Sequence, residues 1–481
     1  MMALAKNINV MWFRQDLRLA DNPALTNALE DGKTLPIFIL DDLNSKEHIN
    51  GAASKWWLHH SLSKLNKSLK NKLCFFTGNP IDILDEIHKQ FEISNLFWSR
   101  CYEPWRIKRD KKIKKYFSDQ NVNVNTFNGS LLWEPWNIAK KDGTPYKVFT
   151  PYYRKGCLNS DKPRMPLPAP NLSNLISIDN HDLKIEYLEL MPKHNWYSKM
   201  ISLWSPGEEG AHSKIEEFIS NGLNNYKEGR NFPSNHNVSQ LSPHLHFGEV
   251  SPNQVWYRAK TKEGKLGIKK DLDHFLSELG WREFSFNLLY HFPFLPKENL
   301  QKKFDNFPWD NDKDKLKKWQ KGLTGYPIVD AGMQELWQTG YMHNRLRMVV
   351  GSFLVKNLLL HWHHGERWFW DCLIDADLAS NSAGWQWIAG SGADAAPYFR
   401  IFNPITQGQK FDPDGRYTRK YLPVLNDMPN KFLFNPWEAP EDVLRSAGVK
   451  LGENYPLPIV EIGSSRQKAL EAFATTKTLI A

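Results

Sequence analysis

Between Asn7 and Trp136 the chain alternates apolar runs with helix-like stretches. The runs are NINVMWF, TLPIFIL, KLCFFTG, SNLFWSR and VNVNTF. Strand-like runs separated by helical segments are the pattern of a doubly wound parallel sheet. After the first run, Asp21-Asn22-Pro23 supplies a helix cap and a first-turn proline, and Gly32 stops that helix. Residues 140 to 200 are rich in turn formers and proline (KPRMPLPAP), as in a long connection. From Ser213 the period becomes helical: Ser213 and Glu216 form a capping-box pattern ahead of Ile215, Phe218 and Ile219, and Gly222 closes the helix. Helical segments with short Gly/Pro breaks continue to about Trp370. The expected architecture is an N-terminal α/β doubly wound parallel-sheet domain (residues 1–136), a linker (137–210) and an all-α C-terminal domain (211–481).

Composition narrows the class. At 481 residues, 41% hydrophobic and 24% charged, the chain reads as a soluble globular protein with more than one core. A formal charge of +9 points to a polyanionic partner such as nucleic acid, or to no charged partner at all. Cys74, Cys101, Cys157 and Cys372 lack CxxC spacing, so a reducing compartment and no structural zinc are expected. No apolar run is long enough to span a membrane and no signal h-region is present, which predicts a cytoplasmic protein. Twenty tryptophans raise stacking, binding or electron transfer, with added core bulk as the plain alternative.

Several chemistries find no motif. The loop RQDLRLADNP has no glycine and is not a dinucleotide fingerprint, and GKT at Gly32 is no phosphate loop because position 27 is Asn. HWHHGERWFW (His361 to Trp370) lacks HExxH spacing, and no GxSxG elbow occurs. Arg106 to Lys115 carries seven basic residues and one acid, Asp110, and reads as a solvated helix face or an anion site.

Other stretches point to a ligand. Residues 371–411 crowd Asp375, Asp377, Asn381, Trp385, Trp387, Pro397, Arg400 and Asn403 together, a turn-rich loop or a wall against a bound aromatic group. Glu278, Trp281, Arg282 and Ser285 share one helix face by spacing, as do Tyr341, Asn344, Arg345 and Met348. The second set is a partly exposed helix with ordinary charges, or suits a flat heteroaromatic ligand with an anionic backbone. Ser239 and Ser242 form a capped turn or a phosphate cradle.

Taken together, WFRQDLRLADNPAL, YKVFTPY, LSPHLHFGEVSP, ELGWREF, GYPIVDAGM, MHNRLRM and nearly all of 375 to 411 resemble the photolyase/cryptochrome family. Within it, the resemblance is to class I photolyases that repair cyclobutane pyrimidine dimers. The resemblance implies an α/β antenna domain and a helical domain holding FAD. The residues matching the flavin site are Tyr226, Val238, Ser239, Gln240, Leu241, Ser242, Phe275, Arg282, Asn344, Arg347, Asp375, Ala376, Asp377 and Asn381. Asn381 matches the residue facing the flavin's central-ring nitrogen, and Trp385, Trp362 and Trp309 match the indole chain for photoreduction. Glu278, Trp281, Asn344, Arg345, Met348 and Trp387 match the lesion side, with Arg230 and Gln407 at DNA-contact positions. The implied partner is UV-damaged DNA bound by a monomer, with no membrane involved.

The chain departs from relatives at three positions. Val238 replaces a hydroxyl residue, and Trp105 and Arg106 stand where folate-binding relatives carry Asn and Glu. The antenna site implied by the resemblance therefore takes methenyltetrahydrofolate, a deazaflavin or no chromophore. Asn344 argues against a (6-4) photolyase, and Asn381 rather than Asp argues against a plant-type cryptochrome.

Overall fold

The computed structural model describes residues 6–178, 184–394 and 399–478; Pro397, singled out above, lies outside them. The chain forms two compact units. One comprises Met1–Trp196, Trp204–Asn224 and Ser239–Pro293, the other Tyr197–Leu203, Asn225–Val238 and Phe294–Ala481.

The first unit is built on a five-stranded sheet of β1 (Ile8–Phe13), β2 (Thr34–Leu40), β3 (Cys74–Thr77), β4 (Ile93–Ser99) and β5 (Asn123–Phe127), ordered β3-β2-β1-β4-β5. Every pairing is parallel. Each strand coincides with one of the five apolar runs, β4 starting one residue ahead of its run at Ile93. Parallel neighbours require crossovers, supplied by α1 (Pro23–Asp31), α2 (Ala52–Ser68), α3 (Pro80–Phe91) and α4 (Pro104–Ser118). The cap expected for α1 is present: Asn22 accepts from the Leu25 amide, and Pro23 opens the helix. Trp12, Ile37, Leu96 and Phe117 lie in the core that the sheet shares with its helices.

The loop after β1 docks through a buried guanidinium. Arg18 donates to the carbonyls of Asp21, Gly129 and Gly248. Gly248 has φ 69°, and a Cβ there would stand 2.0 Å from the Gln15 carbonyl oxygen, so only glycine permits this approach. The unit continues with α5 (Glu208–Glu217), α6 (Ser242–Phe247) and the long α7 (Lys269–His291). The capping box expected at Ser213 is not formed. That helix begins five residues earlier, and Ser213 lies inside it with its hydroxyl donating to the Glu209 carbonyl.

The second unit is helical: α8 (Lys313–Lys321), α9 (Pro327–Thr339), α10 (Asn344–Ser352), α11 (Trp362–Cys372), α12 (Leu378–Ala389) and α13 (Pro404–Phe411). Its core gathers Trp319, Leu336, Val350, Trp362, Phe369 and Trp385. Tyr341, expected to share a helix face with Asn344, precedes α10 instead, because the His343 ring caps the helix by accepting the Arg345 amide at 3.2 Å. His361 likewise caps α11, accepting the His363 amide at 3.2 Å. An accepting Nδ1 carries no proton. Burial, helped by nearby cations, lowers His343 to about 3 and His361 to about 4, which keeps both rings neutral acceptors.

Candidate functional site

In the helical unit the site grows from the α11–α12 pair. Asp377 caps α12, accepting the Ser380 amide at 2.8 Å. Asp375, two residues earlier, forms an ion pair with Arg347 at 2.8 Å, and that guanidinium also donates to the Met342 carbonyl and lies over the Tyr341 ring. The two acids read as one cluster thus divide their work, Asp377 for the helix and Asp375 for the guanidinium. Ala376 between them is buried in the core.

Asn381, on the first turn of α12, donates its amide to the Glu366 carbonyl of α11 at 3.0 Å. Its Oδ1 accepts no bond among the described residues. At Gly384, three positions on and therefore on the same face, a Cβ would meet nothing within 4 Å. Glu366 itself accepts the Ser382 hydroxyl at 2.7 Å, and burial pushes its carboxyl up to about 7. Trp385 lies directly on α11: a Cβ at Gly365 would stand 2.0 Å from its ring. Trp362 and Trp309 each contact His361, with ring centroids 5.6 and 5.1 Å away, so an imidazole joins two of the three expected indoles.

Asn344 is exposed at the start of α10. Beside it Arg345 donates to Asn231, sits 4.2 Å over the Phe411 ring and reaches the Met348 sulfur at 4.0 Å. Arg345 is held below the ordinary arginine value by burial and then by Arg230 and Arg400. Three guanidiniums are thus gathered where no acid neutralises Arg345 among the described residues. Arg230 stacks over Tyr226, and the turn carrying both is fixed by Gly229, where a Cβ would strike the Asn237 side chain at 2.2 Å. Trp387 donates to the Asp394 carbonyl at 3.2 Å, and the Gln407 Oε1 is buried without a hydrogen-bond partner among the described residues. Val238 is partly buried at the edge of this unit.

The sheet unit holds the remaining expected residues. On α7, Trp281 stacks on Phe149 at 3.8 Å and 10°, and Phe149 stacks in turn on Tyr153. Glu278, one turn away, stands 3.8 Å from the His274 ring nitrogen. Arg282 turns elsewhere, donating to the Ser130 carbonyl and to Glu283, and Phe275 packs on Phe218. Ser239 and Gln240 are partly buried, Leu241 is buried and Ser242 is exposed at the start of α6; Gln240 accepts from Lys214 at 3.3 Å.

The same unit contains a pocket lined by Trp105 and Arg106, the two positions at which the chain departs from folate-binding relatives. Trp12, Arg14, Leu40, Asp41, Trp105 and Arg109 are among the side chains lining it. Arg109 is bonded to Asp41 at 3.0 Å and lies over both Trp12 and Trp105. The buried Trp12 Nε1 has no partner among the described residues. Such pairings of residues far apart in sequence leave no local signal.

Residues 275–475 match the FAD binding domain of DNA photolyase, and residues 9–171 match the DNA photolyase family. The deoxyribodipyrimidine photo-lyase of Agrobacterium fabrum is 45% identical over 473 residues, covering 97% of this chain and 98% of the relative. The chain belongs to the photolyase/cryptochrome family. Cryptochrome-2 of Arabidopsis thaliana is 38% identical over 97% of this photolyase/cryptochrome chain and 79% of that protein. Among solved structures, a bacterial class III photolyase from Agrobacterium tumefaciens superposes with TM-score 0.93 at 44% identity, covering 99% of each chain. That neighbour is of class III, whereas the sequence motifs pointed to class I, so the family stands and the class does not follow from it. The residues present fit FAD: an uncharged acceptor at Asn381, an open helix face at Gly384 and the Arg347–Asp375 pair offer hydrogen bonds and room for a flat ring system.

Proposed function

We propose that the protein is a light-dependent DNA repair enzyme, a deoxyribodipyrimidine photo-lyase that splits cyclobutane pyrimidine dimers. The observation that carries this reading is the orientation of Asn381. With its amide spent on the Glu366 carbonyl, the side chain presents Oδ1 as an uncharged acceptor beside the open face at Gly384.

Bound reduced FAD supplies an electron on absorbing blue light. Asn381 accepts a ring N–H without adding charge, and Arg347 and Asp375 orient the group while neutralising each other. Arg230, Arg345 and Arg400 supply phosphate affinity that is independent of base sequence. The damaged bases leave the stack, as in base-flipping enzymes, photolyases among them. Glu278 then hydrogen-bonds the dimer and stabilises the charge that develops on it, while Trp281, rigid on its aromatic stack, packs against the bases. Trp385, Trp362 and Trp309 carry electrons inward during photoreduction. The pocket of Trp12, Trp105 and Arg109 would hold a second chromophore, methenyltetrahydrofolate or a deazaflavin, which would supply light harvesting. The enzyme works as a cytoplasmic monomer.

The test is blue-light illumination of the chemically reduced protein with a dimer-containing oligonucleotide. Recovery of thymine absorbance is expected, and no recovery with FAD fully bound overturns the proposal. The absorption spectrum of purified protein tests the second chromophore: a band beyond those of FAD is expected, and FAD bands alone remove it.

A further inference from the structure

Helix α4 has two faces of different character. Its two arginines turn inward, where Arg106 lies 3.3 Å from Glu103 and Arg109 pairs with Asp41 and Asp110. Its five lysines, Lys108, Lys111, Lys112, Lys114 and Lys115, are all exposed, and none forms an ion pair among the described residues. On α8, the other lysine-rich helix, Lys315 lies 3.1 Å from Asp312 and 3.8 Å from Asp310, whereas Lys313, Lys317, Lys318 and Lys321 form no ion pair among the described residues. On α3, Asp85 is already taken by Lys89 at 2.6 Å and by the Tyr116 hydroxyl at 2.8 Å.

Lys108, Lys111, Lys112 and Lys115 are spaced i, i+3, i+4 and i+7, so they form one stripe. At 1.5 Å rise per residue the stripe is roughly 10 Å long, about three phosphate-to-phosphate steps along one strand of a duplex. Lysine suits such a surface: a hydrated point charge on a flexible stem follows a backbone without demanding fixed geometry. The unneutralised stripe therefore complements a polyanion of regular spacing.

We propose that the outer face of α4 is a second DNA-binding surface, engaging the phosphodiester backbone of undamaged duplex independently of the side chains assigned to the dimer. The proposal rests on the reading of DNA as the substrate. Binding here is sequence-independent and keeps the enzyme on DNA between lesions.

The test compares the parent with the quadruple variant K108Q/K111Q/K112Q/K115Q, both loaded with FAD, on undamaged and dimer-containing duplexes across a salt series. The four positions are exposed, so unchanged FAD absorbance and circular dichroism are expected. The slope of log affinity against log salt on undamaged duplex should become shallower by about 2 to 4, since each lost phosphate contact removes about 0.9. The ratio of dimer to undamaged affinity should be unchanged. An unaltered slope overturns the proposal. So does an unaltered slope accompanied by lost binding to phosphatidylserine vesicles, which assigns the face to a membrane. If neither protein prefers dimer-containing duplex, the proposed repair function fails, while the salt slopes still decide the role of α4.

Discussion

The Asn381 side chain donates to the main-chain carbonyl of Glu366 at 3.0 Å, and the Glu366 carboxyl accepts the hydroxyl of Ser382 at 2.7 Å. One residue of α11 thus ties down two neighbours on α12. Burial holds the Glu366 carboxyl near 7 against an ordinary 4.5, so the folded state binds more protons than the unfolded state between those values. Stability attributable to this group is therefore lost as pH rises from about 4.5 through about 7. Glu366→Gln keeps an acceptor for Ser382 and removes the titration. At pH 8 the variant should exceed the parent in stability by on the order of 2 kcal/mol. Thermal melts from pH 5 to 8 check this, and parallel pH profiles for the two proteins would contradict it.

Lys356 is buried with the Arg400 carbonyl 3.0 Å from Nζ and the Phe399 ring centroid 3.7 Å away. Burial, then repulsion from Arg400, lowers its ammonium to about 7 from 10.5. Here the unfolded state holds the extra proton, so stability should climb as pH rises from about 7, at up to about 1.4 kcal/mol per pH unit. Lys356→Met should flatten that climb in denaturant titrations at pH 7 and 9. A slope equal to the parent's would show that the lysine remains fully charged when buried.

The Arg347–Asp375 pair is mostly buried. Removing one partner leaves the other uncompensated, which typically costs about 3–5 kcal/mol. Arg347→Met should therefore lower stability and reduce the FAD-to-protein absorbance ratio, whereas Asp375→Asn, which keeps an acceptor, should lose less. Full FAD occupancy in Arg347→Met would exclude Arg347 from the flavin site.

Trp309→Phe tests the inward electron route without disturbing Asn381. Photoreduction of oxidised FAD by external donors should fall at least tenfold, on the order of 1.4 kcal/mol or more in barrier terms. Dimer splitting by chemically reduced protein should persist. Equal loss of both activities would mean that Trp309 supports the fold rather than the route. His361, whose ring contacts both Trp309 and Trp362, should give a partial version of the same phenotype when changed to Leu.

Much of this protein was legible in one dimension. The five apolar runs mark the five strands to within one residue, and Asn22-Pro23 caps α1, because strand burial and helix capping depend on residues a few positions apart. The spacing of lysines on α4 and of Glu278, Trp281 and Arg282 on α7 fixed which residues lie near one another around a helix. It did not fix which way each face turns. Trp281 lies on an aromatic stack while Arg282 is bonded to Ser130 and Glu283, and the basic run of α4 splits into inward arginines and outward lysines. The motifs carried the family resemblance, but not the contacts that make a site. Arg347 meets Asp375 across 28 residues, Asn381 meets Glu366 across 15, and Trp385 closes on Gly365. Helical periodicity sets angles within one element, whereas these pairings depend on how separate helices pack and on where burial leaves a charge without water.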